Sequence, residues 1–420
     1  MTGLSFLTLM LAAMPIAFVL LAATIVFVLT TGNLQILNSI PQILFGSVEN
    51  FDLLAIPLFV LLGEIMNERG VTRRIIIAAR VWLQRLPHNL VIVNLVANLA
   101  LAAIMGSATA QMAVMSRVVV PEMEKDGYDR GYAASITASA GLLGPIIPPS
   151  MVFIIYGVIA QVSIAEMFMA GIVPGVTLFA LILAIALWQA GKHRQKGHAG
   201  APLPQGSRLK ATIPGLATML IPLTIIGGIS WGIFTPTESA AVAIVVALLF
   251  GAVVFRELPL HRLPVIIDRT VTNTAIVLFL IMAAKVFGWV LTFNQIPQAV
   301  AAFIVSLTGD PLIFMLLIMG TLMVVGMFLD GIAALIILTP ILLPVATADY
   351  GIDPIQFGVV MSMTLVLGLL TPPVGTGLYI AAALSEIPIM RLSRLVVPYI
   401  VASIAVILLV IFVPWTIRPF

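Results

Sequence analysis

Two decapeptides, Gly141-Leu-Leu-Gly-Pro-Ile-Ile-Pro-Pro-Ser150 and Leu365-Val-Leu-Gly-Leu-Leu-Thr-Pro-Pro-Val374, lie 224 residues apart in a chain of 420. They set Gly144 on Gly368 and Pro148-Pro149 on Pro372-Pro373. A Pro-Pro pair removes two amide donors and frees carbonyls of the preceding turn, so neither stretch continues as an unbroken helix. Upstream, Gly127 and Asp129 match Gly351 and Asp353 at the same offset. Gly106 matches Gly331 at 225, and Ala55-Ile-Pro-Leu-Phe59 matches Ala275-Ile-Val-Leu-Phe279 at 220. One dipeptide match would mean nothing in so apolar a chain. The ordered set predicts an internal repeat whose halves each carry a hairpin, a Gly-Asp loop and a Pro-Pro break.

The surrounding sequence is 61% hydrophobic and 9% charged, with a mean hydropathy of +1.19. Ordinary soluble domains carry about 25% charge. Too few charges remain to cover a water-facing surface, so the chain is expected to be an all-α polytopic membrane protein. At roughly 20 apolar residues per crossing there is room for about ten crossings. The apolar runs are long and continuous, which excludes a β-barrel of alternating strands. The net charge of +3 does not point to nucleic acid, because the basic residues sit in short loops between apolar runs. The chain has no cysteine, so disulfides and thiolate metal sites are impossible. His88, His193, His198 and His261 all fall in loops, and there is neither a His-Glu-x-x-His nor a Walker sequence, so no enzyme activity is expected. No Lys or Arg precedes the apolar stretch Leu4 to Thr30, which reads as a retained membrane helix and not as a cleaved signal.

Further apolar runs cover approximately 51–67, 89–118, 131–157, 168–190, 211–232, 238–255, 270–293, 311–346, 357–381 and 395–414. Lys and Arg accumulate in cytoplasmic loops. One orientation puts 18 of the 20 basic residues there, leaving Lys285 within a span and Arg418 outside. It requires 88–118 and 311–346 to enter and leave on the same side, as re-entrant hairpins broken at Gly106-Ser107-Ala108-Thr109 and Asp330-Gly331. Segment 33–48 is either a short crossing or an interfacial helix, and symmetry with 238–255 would place the N-terminus outside. Loop 119–130 then faces the cytoplasm, while its partner 344–356, with Asp349 and Asp353 but no Lys or Arg, faces outward. The expected organisation is an inverted-topology repeat: a first half over 1–190 with broken helix 131–157, a cytoplasmic linker over 191–210, and a second half over 211–420 with broken helix 357–381. Such repeats with broken helices near the midplane mark secondary transporters.

In lipid an unwound backbone is tolerated only where it lines a protein-buried or watery cavity. Freed carbonyls and nearby hydroxyls are hard oxygen ligands suited to desolvated Na⁺, and half-helix N-termini offer amides to an anion. Two cation sites flanking one anion site is the arrangement that two tips and two breaks suggest. The plainer alternative is that Pro pairs only kink helices and small residues only allow close packing. Ionisable residues at membrane depth are functional candidates by default. Asp330 sits at the second tip, as a functional carboxylate or as a cap on the returning limb. Lys285, deep in a span, could attract a substrate carboxylate or form a structural ion pair. Glu64 reads as a partner for the Arg-rich stretch 69–86, itself a helix lying in the cytoplasmic interface. Glu238 reads as a helix cap with Thr235 and Thr237.

Taken in order, Phe51-Asp-Leu-Leu-Ala-Ile-Pro-Leu-Phe59 with Gly63-Glu64, Gly106-Ser-Ala-Thr-Ala110, Gly144-Pro-Ile-Ile-Pro-Pro-Ser150, Gly232-Ile-Phe-Thr-Pro-Thr-Glu238 and Leu370-Thr-Pro-Pro-Val-Gly375 resemble the DctM-type large membrane subunit of TRAP (tripartite ATP-independent periplasmic) transporters over essentially the whole chain. The resemblance implies an elevator-type, Na⁺-coupled importer of organic anions (a C4-dicarboxylate, sialic acid, a sugar acid or a similar carboxylate) in the bacterial inner membrane. It also implies a small four-helix membrane subunit and a periplasmic substrate-binding protein as partners. Carried over by analogy with related sodium-coupled anion symporters, Gly106, Ser107, Pro148, Gly331, Thr371 and Pro372 would hold Na⁺, at two or more sites. Thr109, Ser150, Asp330, Gly375 and Thr376 would meet substrate. Lys285 departs from the small residue the pattern leads one to expect there, and is assigned to substrate. The alternative of the same fold is a stand-alone sodium/carboxylate symporter or a cation/proton antiporter. An intramembrane enzyme lacks a catalytic cluster, and a scaffold would not need paired breaks.

Overall fold

The computed structural model describes residues 6, 8–10, 12, 14–67, 71–193, 208–251 and 262–417, with backbone alone at 67, 71, 73, 208–214 and 216. The start of the first apolar run, most of the 191–210 linker (194–207), and Arg69, Arg256, His198, His261 and Arg418 lie outside the described residues. Among the described residues the chain is helical throughout, with no strand.

The first half runs α1 (Ile16–Thr31), α2 (Ile36–Gly46), α3 (Ala55–Asn67), α4 (Val71–Leu83), α5 (Asn89–Met105), α6 (Ala108–Lys125), α7 (Arg130–Gly141), α8 (Met151–Ala160) and α9 (Ile164–Ala190). The second runs α10 (Arg208–Ser230), α11 (Pro236–Leu249), α12 (Leu263–Phe293), α13 (Ile296–Leu307), α14 (Pro311–Phe328), α15 (Gly331–Pro344), α16 (Pro354–Gly368), α17 (Thr376–Leu384) and α18 (Ile389–Phe412). Each runs as four helices, two helix-break-helix units and a closing long helix. The packing corresponds as well. In the first half α6 packs on α7 and α17, and in the second α15 packs on α16 and α8.

Local chemistry sets the ends of these elements. Gly127 and Gly351 take left-handed turns, with φ of +86° and +63°. Two residues later Asp129 accepts the Tyr132 amide at 2.9 Å and Asp353 the Ile355 amide at 2.7 Å, capping α7 and α16. The matched Gly-x-Asp signals are therefore a turn followed by a helix cap. Glu238 and Thr235 form a reciprocal capping box at α11, with the Thr235 amide 2.9 Å from Glu238 Oε2 and the Glu238 amide 3.3 Å from Thr235 Oγ1. Thr237 takes no part in this cap.

The core centres on the helix-break-helix units and the closing helices α9 and α18. Tyr132, Tyr156, Tyr399, Phe153, Phe168, Phe314 and Phe357 are its largest fully buried side chains. Every residue from Gly131 to Gly141, and from Ile355 to Gly368, is buried. By contrast α1, α10, α12 and α13 leave Phe18, Ile25, Leu223, Val271, Ile276, Phe303 and Leu307 exposed. Apolar surface of this extent is what lipid or partner subunits cover.

Several expected boundaries shift. Five helices (Ile164–Ala190, Leu263–Phe293, Pro311–Phe328, Gly331–Asp349 and Ile389–Phe412) are individually long and apolar enough to cross a membrane, among the described residues. A sixth candidate span is α2 with Phe51–Met66, bent by 55° at its break. Segment 33–48 is no crossing by itself: the 11 residues of α2 rise only about 16 Å. The first hairpin's second limb continues past 118 to Lys125. Its last turns are polar and read as loop, but Glu122 pairs with Arg80 at 3.2 Å and with Lys125 at 3.4 Å. Glu64 meets Asn273 of α12, whose Nδ2 donates to Oε1 at 2.9 Å.

Candidate functional site

Each helix-break-helix unit ends one helix and starts another inside the packed core. At the first tip Gly106 adopts φ +59° and ends α5. Ser107 then caps α6, its Oγ 3.5 Å from the Ala110 amide and 3.3 Å from Thr109 Oγ1. A side chain at Gly106 would come within 3.3 Å of the Pro149 carbonyl and the Met151 amide, so this tip is seated directly on the first break. There Pro148, Pro149 and Ser150 are all buried. Ser150 Oγ donates to the Pro145 carbonyl at 2.5 Å and accepts the Phe153 amide at 3.3 Å, capping α8. Two of its hydrogen-bonding positions are therefore occupied within the break itself.

The second tip also ends one helix and caps the next, but packs on α16 ahead of the second break. Asp330 caps α15, accepting the Ile332 amide at 3.0 Å, and its side chain is exposed. Gly331 is buried, facing Val366 of α16 at 3.9 Å from a built Cβ. Below it Gly326 and Gly368 bring α14 and α16 into backbone contact, where a Cβ on Gly326 would lie 2.5 Å from the Leu365 carbonyl oxygen. Larger residues there would force the limb off the break. In the second break Thr371 is buried and donates to the Leu367 carbonyl at 2.9 Å. Gly375 adopts φ +24°, and a Cβ on it would sit 2.8 Å from the Leu369 oxygen and 2.9 Å from the Thr371 oxygen. Two carbonyls thus converge on the start of α17, where Thr376 is exposed and Pro372 half-buried. Both Pro-Pro bonds, Pro148-Pro149 and Pro372-Pro373, are cis.

The two units meet through Met112 of α6, whose side chain contacts Gly141 before the first break and Gly377 after the second. Gly106, Ser107, Thr109, Pro148 and Ser150 accordingly form one cluster, and Asp330, Gly331, Thr371, Pro372, Gly375 and Thr376 lie on the second tip and break. Four helix N-termini, those of α6, α8, α15 and α17, start at these points. Such termini suit anions, while the converging carbonyls suit a hard cation.

Lys285 stands apart. It is half-buried on α12, one turn before Gly288, which faces Pro340 of α15 with a built Cβ 3.1 Å away. Pro340 is nine residues beyond the tip glycine, about 13 Å along the limb. Among the described residues no ion pair joins Lys285 to Asp330.

Sequence reasoning, which weighs only ionisable side chains at membrane depth, misses Asn94, Asn98, Gln111 and Thr137. All four are fully buried and hydrogen-bonded in series across α5, α6 and α7. The available signal is three amides inside an otherwise apolar run, two of them at i, i+4.

Charged side chains collect away from the breaks. Arg391 pairs with Asp129 at 2.5 Å, and Arg130 with Glu124 and Glu386 at 3.4 and 3.1 Å. With Arg80, Glu122 and Lys125 they join α4, α6, α7 and the α17–α18 connection. A separate surface cavity of about 380 Å³ brings together Asn50 and Asp52, Gln161 and Ser163, and Thr235 and Thr237. It contains none of the candidate residues.

The all-helical fold of the described residues is that of a solved membrane transporter. A solved structure, the Alcanivorax borkumensis YdaH transporter, has the same fold, with a TM-score of 0.67 at 17% identity over 91% of this chain and 90% of that one. Residues 4–416 match the family model for the tripartite ATP-independent periplasmic transporter, DctM component. The chain is 37% identical to the sialic acid TRAP transporter large permease protein SiaM of Vibrio cholerae, over 97% of this chain and 94% of that one. It is 34% identical to the 2,3-diketo-L-gulonate TRAP transporter large permease protein YiaN of Escherichia coli, over 96% and 93%. The chain belongs to the DctM family, the large permease subunits of TRAP transporters. It is a multi-pass membrane protein and not an enzyme.

Proposed function

We propose that this subunit imports an organic anion into the cytoplasm by sodium-coupled, elevator-type movement of the two helix-break-helix units. The observation that carries this reading is the seating of the first tip, Gly106-Ser107, on Pro149–Met151, with a second capped tip beside α16 ahead of the second break. Each half then supplies carbonyls and hydroxyls for Na⁺ (Gly106, Ser107 and Pro148; Gly331, Thr371 and Pro372) and helix N-termini for the anion between them. The relatives' substrates, sialic acid and 2,3-diketo-L-gulonate, both carry a carboxylate, which favours an organic acid here. A small four-helix membrane subunit and a periplasmic binding protein complete the system in the bacterial inner membrane.

Reconstitution tests the coupling and the partners together. Uptake of a carboxylate delivered by the cognate binding protein is expected in vesicles holding both membrane subunits under an inward Na⁺ gradient. Little uptake is expected with K⁺ replacing Na⁺ or without the binding protein. Equal uptake by the large subunit alone would favour a stand-alone symporter of the same fold.

The two halves, 1–190 and 211–420 about the 191–210 linker, are read as inverted in the membrane. Supporting this, basic residues assigned to the cytoplasm (Arg80, Lys125, Arg130 and Arg391) form ion pairs with Glu122, Glu124, Asp129 and Glu386. The loops around Asp52, Ser163 and Thr237, assigned outside, share one cavity. A cysteine introduced beside Asp353 in this cysteine-free chain is expected to react only from the periplasm, and one beside Lys125 only from the cytoplasm. Reaction of both from one side would remove the inversion.

A further inference from the structure

Inside the first hairpin the hydrogen-bond donors all run one way. Gln111 Nε2 donates to the Asn98 carbonyl at 2.8 Å and to Asn98 Oδ1 at 2.9 Å. Asn98 Nδ2 donates to the Asn94 carbonyl at 3.0 Å and to Asn94 Oδ1 at 2.7 Å. Asn94 Nδ2 donates to Thr137 Oγ1 at 2.9 Å, and Thr137 Oγ1 to the Ala133 carbonyl at 2.9 Å. The series starts at Gln111, one turn past the tip, and ends in the backbone of α7.

This direction fixes the Gln111 amide. Its nitrogen faces two acceptors on Asn98, so turning the group over would set oxygen against oxygen. Its Oε1 is then left as a buried acceptor with no hydrogen-bond partner, on a side chain that is 0% exposed. That oxygen faces the junction of tip and break. A Cβ built on Gly144 would lie 2.8 Å from it and 3.4 Å from the Ser107 carbonyl. A buried acceptor without a donor is unfavourable by about 1–3 kcal/mol, and a hard cation is a chemical complement for it among other oxygens.

Among the described residues the second half has no such series. At the offsets of the sequence repeat, Asn94, Asn98 and Gln111 become Met319, Met323 and Ile336, and Thr137 becomes Met361. Packing alone does not require amides at these places, since apolar side chains fill them in the other half.

We propose that Gln111 is an oxygen ligand of a cation buried where the first hairpin tip meets the first break, held toward it by the Asn98–Asn94–Thr137 series. The proposal rests on the sodium-coupled reading of this site and adds to it a side chain beyond the tip and the break.

The test is the Na⁺-dependent thermal stabilisation of the purified complex of large and small membrane subunits, titrated with NaCl against choline chloride at constant ionic strength. The wild-type complex is expected to melt higher as Na⁺ rises. Gln111→Leu is expected to raise the Na⁺ concentration at half-effect at least ten-fold, and KCl should not substitute. A wild-type half-effect concentration in Gln111→Leu overturns the proposal, because the oxygen is then satisfied by something other than Na⁺. If Gln111→Leu cannot be purified, Gln111→Asn, which keeps the amide and withdraws it by one methylene, decides in the same way: a ten-fold rise supports the proposal and an unchanged value overturns it. Absence of any Na⁺ effect on wild-type stability and uptake would instead remove the sodium reading itself, and this proposal with it.

Discussion

Sodium-driven uptake is expected to fall to background when leucine replaces Ser107 or Thr371. Ser107 caps α6 at the first tip, and Thr371 is buried in the second break. Leucine removes a hydroxyl from each and adds volume where the chain is tightly folded. Losing the Ser107 cap destabilises a helix start by about 1 kcal/mol, and overpacking adds typically 1–3 kcal/mol. Smaller replacements separate ion binding from folding. Thr371→Val keeps the volume and forfeits only the oxygen, which also donates to the Leu367 carbonyl at 2.9 Å. Thr371→Val and Ser107→Ala are therefore expected in the membrane at near-normal levels, with a raised Na⁺ requirement for uptake. Leucine variants that reach the membrane and keep wild-type sodium dependence would show the ion assignment to be wrong.

Features whose partners are close in sequence are legible from the chain alone. The Pro-Pro pairs announce both breaks because no residue pattern repairs two missing amides in a helix. Gly127-Tyr-Asp129 and Gly351-Ile-Asp353 announce matched turns and caps, and Thr235 with Glu238 announces a capping box, since each partner lies within four residues. Tertiary partners are not legible in this way. Asn94 finds Thr137 across 43 positions and Glu64 finds Asn273 across 209, separations at which spacing carries no signal. Polarity also misleads at helix ends: Glu122, Glu124 and Lys125 read as loop, yet they form the last turns of α6. The end of this limb thus lies outside the apolar run, where a hydropathy reading does not reach.

Replacing Lys285 by methionine is expected to weaken apparent substrate affinity by ten-fold or more while leaving the melting temperature near that of the wild type. An ammonium at membrane depth is unfavourable by a few kcal/mol unless something compensates it. A structural carboxylate partner would provide that compensation, and Asp330 is the residue to consider. Its side chain instead caps α15, accepting the Ile332 amide at 3.0 Å, and no ion pair joins the two among the described residues. The transported anion is proposed as that partner. At an effective dielectric near 20 a pair at 4 Å gains about 4 kcal/mol before desolvation is subtracted. A net 1–2 kcal/mol still corresponds to roughly five- to thirty-fold in affinity. The double variant Lys285→Met/Asp330→Asn distinguishes the two roles. If Lys285 serves the substrate, adding Asp330→Asn restores neither affinity nor stability. If the single variant is destabilised and the double is rescued, the lysine belongs to a structural pair and its assignment to substrate falls.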